Sequence, residues 1–287
     1  MEKDELKKLE EIANRVRKMT IEQIGFLGVG HRGGSMSVIE VLTILYYKYM
    51  DVTPENPKKK NRDKLVLSKG HAGPALYSVL ADKGFFPTEM LHTLNKGGTN
   101  LPSHCDMNRT PGIDMTTGSL GQGISAAIGL ALANRIDNID KNTYLIIGDG
   151  ESNEGQVWEG AMAAAHYKLN KLIAFTDNNA MGIDGYMFDT MNIEDLTSKW
   201  LSFGWYVQRI NGHDFEQLER AIDRAKNETC RPSMIVLDTI KGKGAFFAEG
   251  DLGSHNMNFD YETVNVSFAV AGISAGISEL KRLLENN

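Results

Sequence analysis

The sequence predicts an α/β architecture: a mostly parallel sheet flanked by helices on both faces. Three observations carry that expectation. Short apolar runs rich in β-branched or aromatic residues recur along the chain, most clearly at 143–147 and 172–176, and polar, turn-forming residues close both of these. Stretches with helical periodicity lie between the runs, and strand–helix–strand in one sheet is a right-handed crossover that makes the strands parallel. No Pro/Gly/Ser-rich linker interrupts the 287 residues, so one layered α/β unit over 1–287 fits better than two.

The elements follow in order. Residues 4–23 form an amphipathic helix, because Leu6, Leu9, Ile12, Val16 and Met19 recur at three- and four-residue steps. Residues 36–50 form a second, more apolar helix, and Pro54 and Pro57 make 51–63 a loop. A short strand at 64–68 precedes a helix at 74–83, whose Pro74 suits a first turn. Residues 85–117 are irregular and polar, and long loops inside a compact domain are usually functional. The glycine-rich Gly118-Ser119-Leu120-Gly121-Gln122-Gly123 opens a helix over 121–135. An Ala-rich helix at 154–169 joins the strands 143–147 and 172–176. Helices at 194–203 and 214–226 alternate with strands at 206–210 and 233–239. A terminal helix at 273–284 lies in a weakly patterned tail, 256–287.

Bulk properties exclude several classes. The formal net charge of −6 argues against a nucleic-acid partner, which needs clustered Lys and Arg; Lys58-Lys59-Lys60 is a solvated turn. Cys105 and Cys230 are too few for a disulfide framework and lack metal-site spacing. The N-terminal stretch is charged, without an apolar signal region, and no apolar run is long enough to span a bilayer. A cytoplasmic protein with no membrane partner is expected.

The chemistry concentrates in two polar knots. Gly148-Asp149-Gly150 and Asp177-Asn178-Asn179 each follow an apolar run, so both lie at the carboxyl edge of the sheet, where open α/β sheets bind ligands. Asp149 and Asn179 are thirty positions apart, yet their oxygens can converge on one point. A carboxylate and an amide oxygen suit Mg²⁺, or Ca²⁺, either of which shares its ligands readily with a diphosphate. The glycines admit phosphate to the backbone, and the next helix start offers N–H donors.

Gly28-Val29-Gly30-His31-Arg32-Gly33 matches GxGxxG, but helical periodicity precedes it and a proline-bearing loop follows, so a dinucleotide site is rejected. Of seven histidines, His31, His71, His104 and His255 sit in loops beside or near glycine. Imidazole exchanges protons most easily near neutral pH, which makes four such settings candidates for catalysis. His166 is expected mid-helix and structural, and His213 at a turn before a helix; His92 is uninformative.

Several motifs together resemble transketolase, specifically its N-terminal half, over about residues 12–255. GDGESNEGQVWEGAMAAAHYKLNKL followed by DNNAMGIDG carries the resemblance most strongly, with LSKGH and TTGSLGQG beside it. It implies a thiamine-diphosphate-binding fold. It implies that the backbone carbonyl of Met181 joins Asp149 and Asn179 on Mg²⁺, and that Gly150, Gly118, Ser119 and Leu120 contact the cofactor. His71 would bind the diphosphate, His31 and His104 the sugar hydroxyls, and His255 both the diphosphate and the substrate. Glu154 has two expected roles: an acidic residue favoured by the helix dipole, or, as the resemblance implies, a group reaching across a dimer interface towards the cofactor-activating Glu of the other half. Arg32 stands where the family commonly has a small residue or Pro, and Asn258 where it often has a second His.

The chain ends soon after this domain, so the resemblance also implies a partner. That partner is a C-terminal-section transketolase subunit carrying the pyrimidine-binding domain, in a heterotetramer of two copies of each chain. The expected activity is transfer of a two-carbon ketol unit from a ketose phosphate to an aldose phosphate, with xylulose 5-phosphate the default donor. Alternatives are a split transketolase for a sulfonated or branched sugar, the α subunit of a 2-oxo acid dehydrogenase, and a non-catalytic cofactor-binding module.

Overall fold

The five apolar runs become one five-stranded parallel sheet in the computed structural model, which describes residues 1–245 and 247–255 and the backbone of 257–258. Its strands are β2 (Lys64–Leu67), β3 (Thr143–Gly148), β4 (Leu172–Asn178), β5 (Tyr206–Asn211) and β6 (Ser233–Asp238), in the order β2-β3-β4-β6-β5. A two-residue antiparallel pair, β1 (Val29–Gly30) and β7 (Met257–Asn258), lies apart from it.

Alternation along the strands divides the core in two. Tyr144, Ile146, Ile173, Phe175, Ile235 and Leu237 point to one face. Leu145, Ile147, Leu172, Ala174, Met234 and Val236 point to the other. Period-two alternation with both sides apolar is what a sheet covered on both faces demands. The first face packs against α1 (Lys3–Leu27), α3 (Ile39–Ile44), α4 (Gly73–Asp82) and α9 (Phe215–Asn227). The second packs against α5 (Gly123–Ile136), α6 (Gly155–His166) and α8 (Leu196–Ser202). Two short helices, α2 (Arg32–Met36) and α7 (Met187–Thr190), lie near the carboxyl edge.

Capping explains the helix ends. Gly28 at φ +81° stops α1, its N–H bonding the Ile24 and Gly25 carbonyls at 3.0 and 3.1 Å. Asp195 and Asp214 accept the orphan N–H groups that open α8 and α9.

Several expectations need correction. α1 runs four residues past the predicted end at 23, because apolar periodicity continues through the buried Ile24. The single helix expected over 36–50 is α2 and α3 with a break at Ser37-Val38, followed by a wide turn over Leu45–Tyr49. The Ser37 hydroxyl at that break donates to Asp177 at 2.6 Å, a long-range bond with no local sequence signal. His166 is exposed at the end of α6 against the Tyr167 ring rather than structural within it. His213 lies in the turn before α9, as expected, with partners the sequence did not show. It contacts Glu40 through Nδ1 at 3.1 Å, and its Nε2 accepts from the Ile240 N–H at 2.9 Å. The GxGxxG stretch follows a helix, as required for rejecting it. The helix expected at 273–284 and the tail from 259 onward lie outside the described residues, as does the side chain of Asn258. Among the described residues, no helix is long and apolar enough to cross a membrane.

Candidate active site

β3 and β4 pair in parallel with Gly148 opposite Asp177, which sets the two polar knots side by side at the carboxyl edge. The Asp149 N–H donates to the Asp177 carbonyl at 3.1 Å. The buried Asp149 carboxylate accepts from Gly150 N–H at 2.7 Å and from Ala180 N–H at 2.6 Å, so one side chain ties both knots. Asn179 donates from Nδ2 to Asp177 at 3.1 Å, and its Oδ1 accepts from Met181 N–H at 3.1 Å.

Above these turns lies a cavity of about 570 Å³. Asp149, Gly150, Asn179, Met181, Gly118, Leu120, Glu154 and all four candidate histidines line it. Ser119 is exposed and does not line it. Arg32 does not line it either: it is buried with its guanidinium 4.9 Å from the Phe247 ring centre.

Four separate segments deliver the imidazoles. His31 precedes α2, His71 lies in the turn Gly70–Ala72 after β2, His104 sits in the irregular 85–117 segment, and His255 ends the turn Leu252–His255. The ring of His31 is 5.3, 5.7 and 5.3 Å from those of His71, His104 and His255, and His71 is 5.4 Å from His255. Glycine makes room for them: a Cβ on Gly34 would lie 3.0 Å from His71 Nε2, and one on Gly118 3.3 Å from His104 Cδ2.

Burial lowers the pKa of all four. His31 is lowered by burial and then by His104, His104 by burial, and His71 falls well below the usual value. His255 falls to about 4 through burial, with Lys241, His31 and Lys69 adding to it. The cluster is therefore neutral at pH 7, able both to donate and to accept a proton. The unfolded chain binds protons at these sites below about pH 6.5 while the folded chain does not. Their stabilising contribution is complete above that pH and is lost as pH falls through the folded values. Histidine-resolved NMR titration should give each of the four rings a midpoint below about 6.5; a midpoint at or above that value for any ring would contradict the burial argument.

Four buried charged residues at the site were not anticipated. Asp177 is fully buried and accepts from Ser37, Lys69, Thr239 and Asn179. Lys69 pairs with it just ahead of His71. Glu151 accepts from Ser68 and from the Gly121 and Gly148 N–H groups. Lys241 donates from Nζ to the Gly182 and Met181 carbonyls at 2.7 and 3.3 Å, and burial lowers it to about 8. LSKGH marked Lys69 as a motif member without a role. Lys241 lies in Lys-Gly-Lys-Gly just after β6, a strand-edge position that could have flagged it.

The donor set suits a divalent cation. Burial, then Asp177, pushes the Asp149 carboxyl up to about 6, as expected of a carboxylate short of positive charge. The Met181 carbonyl already accepts from a cation, the Lys241 ammonium. Hard oxygens of three kinds meet at one edge beside glycine, which is the chemistry of a metal-bound diphosphate. Among the described residues, no group of three or more His, Cys, Asp or Glu is placed to hold a metal ion, so the oxygens offered here are one carboxylate, one amide and one backbone carbonyl.

Comparison with known proteins agrees with this chemistry. The family model "Transketolase, thiamine diphosphate binding domain" matches residues 8–274. A 6-deoxy-6-sulfo-D-fructose transketolase subunit, SqwG, of Clostridium sp. (strain MSTE9) is 58% identical over 254 residues, covering 88% of this chain and 92% of that one. An apulose-4-phosphate transketolase subunit of Phocaeicola vulgatus is 39% identical over 242 residues, covering 84% and 86%. The crystal structure of transketolase from Campylobacter jejuni superposes with a TM-score of 0.87 at 32% identity, covering 92% of this chain and 43% of that one. The chain thus spans about two fifths of that solved transketolase and nearly all of the two subunits.

Proposed function

We propose that this chain, which belongs to the transketolase family through its thiamine-diphosphate-binding domain, is the cofactor-holding subunit of a two-chain transketolase. Its sugar is a specialised one, with a 6-sulfonated ketose in first place. The observation that carries the reading is the joining of four imidazoles, His31 with three others 5.3–5.7 Å from it, to the Asp149–Asn179 edge within one cavity. A non-catalytic module has no need of such a cluster, and neither does a binder of 2-oxo acids, which carry no sugar hydroxyls. The choice of sugar rests on the 58% identity to a sulfofructose transketolase subunit.

Asp149, Asn179 and the Met181 carbonyl would hold Mg²⁺, and His71, Gly150 and the Lys241 ammonium would face the diphosphate. Bound thiamine diphosphate supplies a nucleophilic carbon and an electron sink, so that a ketose C2–C3 bond can break. The chain's residues bind, orient and move protons. His31 and His104 donate N–H bonds to sugar hydroxyls, strengthening as charge develops on oxygen. His255, whose ring is 5.3 Å from that of His31 and 5.4 Å from that of His71, can take the hydroxyl proton whose loss accompanies bond cleavage, because it is neutral beforehand. Glu154 is exposed at the cavity rim with no helix-capping hydrogen bond, a placement open to a group from another chain.

A donor comparison on the chain assembled with its partner, Mg²⁺ and thiamine diphosphate tests this. Ketol transfer from 6-deoxy-6-sulfofructose should exceed that from xylulose 5-phosphate by about tenfold in kcat/KM, roughly the net worth of one hydrogen bond. Preference for xylulose 5-phosphate would restore the general pentose phosphate role. Turnover of pyruvate but no ketose would replace the transketolase reading with that of a 2-oxo acid dehydrogenase.

A further inference from the structure

We propose that Glu151 is a positioning residue for the cofactor: its buried carboxylate clamps the 118–121 turn to the ends of β2 and β3 and so preforms one cavity wall. The inference rests on the thiamine diphosphate reading above and adds a residue to it. Glu151 is 3% exposed, which for a carboxylate demands several donors. It has three, from three different segments. Oε1 accepts from the Ser68 hydroxyl, at the end of β2, and from the Gly121 N–H at 2.8 Å; Oε2 accepts from the Gly148 N–H at 3.1 Å, at the end of β3.

The surroundings leave the clamped turn little freedom. Gly121 has φ +82°, and a Cβ there would lie 2.7 Å from that of Glu154. A Cβ on Gly123 would lie 2.2 Å from Ser68 Oγ, so the start of α5 is pressed onto the same serine that Glu151 holds. Gly118 and Leu120 line the cavity from this turn, and His71 lies three residues after Ser68. Glu151 therefore joins the backbone beside Asp149 to the turn that faces the cofactor and to the segment that presents His71. Removing the carboxylate leaves the buried Gly121 N–H and the part-buried Gly148 N–H without this acceptor, and the turn must shift to find water.

The test compares Glu151→Gln and Glu151→Ala with wild type in the assembled enzyme. Calorimetry measures the affinity for thiamine diphosphate with Mg²⁺, and kinetics measures KM for the cofactor and kcat. Glu151→Gln keeps the Oε1 acceptor and sets an N–H against the Gly148 N–H; Glu151→Ala removes every acceptor. Cofactor affinity should fall about tenfold in the alanine variant and by less in the glutamine variant, with kcat at saturation falling less than KM rises. Unchanged affinity in both variants, or a loss of kcat and melting temperature at unchanged affinity, would overturn the proposal. Should the alanine variant not fold, the glutamine variant decides by the same criteria. Wild type that binds no thiamine diphosphate would instead sink the functional reading on which the proposal stands.

Discussion

Asp149→Ala is expected to weaken Mg²⁺-dependent binding of thiamine diphosphate by more than about a hundredfold. Loss of a group that merely orients a metal ligand typically costs ten- to a hundredfold, and a carboxylate ligand contributes charge besides orientation. The fold should survive. Asp149 is a buried carboxylate held up at about 6, above its unfolded value, so its ionised form costs stability at neutral pH. The sign follows: the folded chain holds an extra proton between the unfolded value of about 4 and about 6. The favourable contribution is present below that window and lost as pH rises through it. Asp149→Asn, which keeps the shape and removes the charge but sets its amide N–H against the Gly150 or the Ala180 N–H, should therefore be less destabilising at pH 7 in the absence of metal than at pH 3.5. Calorimetric titration with magnesium and thiamine diphosphate measures the first effect, and thermal melts at the two pH values the second. Unaltered cofactor affinity would remove Asp149 from the metal site. A large loss of stability at pH 7 would make it a structural residue.

That combination, costly to the fold yet placed at a strand end, is what made the site legible. Short apolar runs rich in β-branched and aromatic residues and closed by turn-formers favour strands, and crossover handedness then sets Asp149 and Asn179 at one edge without any knowledge of contacts. His31, His71 and His255 were visible beside or near glycine in the sequence and His104 within a long irregular loop; imidazoles facing a ligand need small residues beside them, as Gly34 and Gly118 show in space. Long-range partners were not visible. Asp177 looked like half of a turn, whereas it is bound by Ser37, 140 residues away, and by Thr239, 62 residues away. The break after α2 coincides with the first of those bonds, which helical periodicity cannot register. Lys241 was missed for the same reason: whether a lysine after a strand faces solvent or a cavity is decided by packing from elsewhere. Ser119 differs from its motif neighbours Gly118 and Leu120 in being exposed outside the cavity.

Without its partner, this chain should transfer ketol units at no more than about a thousandth of the rate of the assembled pair, even with saturating Mg²⁺ and thiamine diphosphate. Positioned acid–base groups contribute on the order of 10²–10⁴ to such reactions, and the resemblance places one of them, the Glu that activates the aminopyrimidine, on the partner. The cavity mouth carries a second argument. Ile183, Phe188 and Met191 are 68%, 64% and 64% exposed, and Ile183 and Met191 line the cavity itself. Apolar side chains gathered at the rim of a polar cavity mark a surface to be covered, and covering it would exclude the water that competes with sugar hydroxyls for the imidazoles. Both named relatives that match along most of their length are subunits, which is the expected setting for such a rim. Titrating a pyrimidine-binding subunit into a fixed amount of this chain should raise activity from near zero to a plateau at equal concentrations. Activity of the single chain within tenfold of that plateau would show that the rim needs no cover and that every proton-transfer group is already on this side of the cofactor.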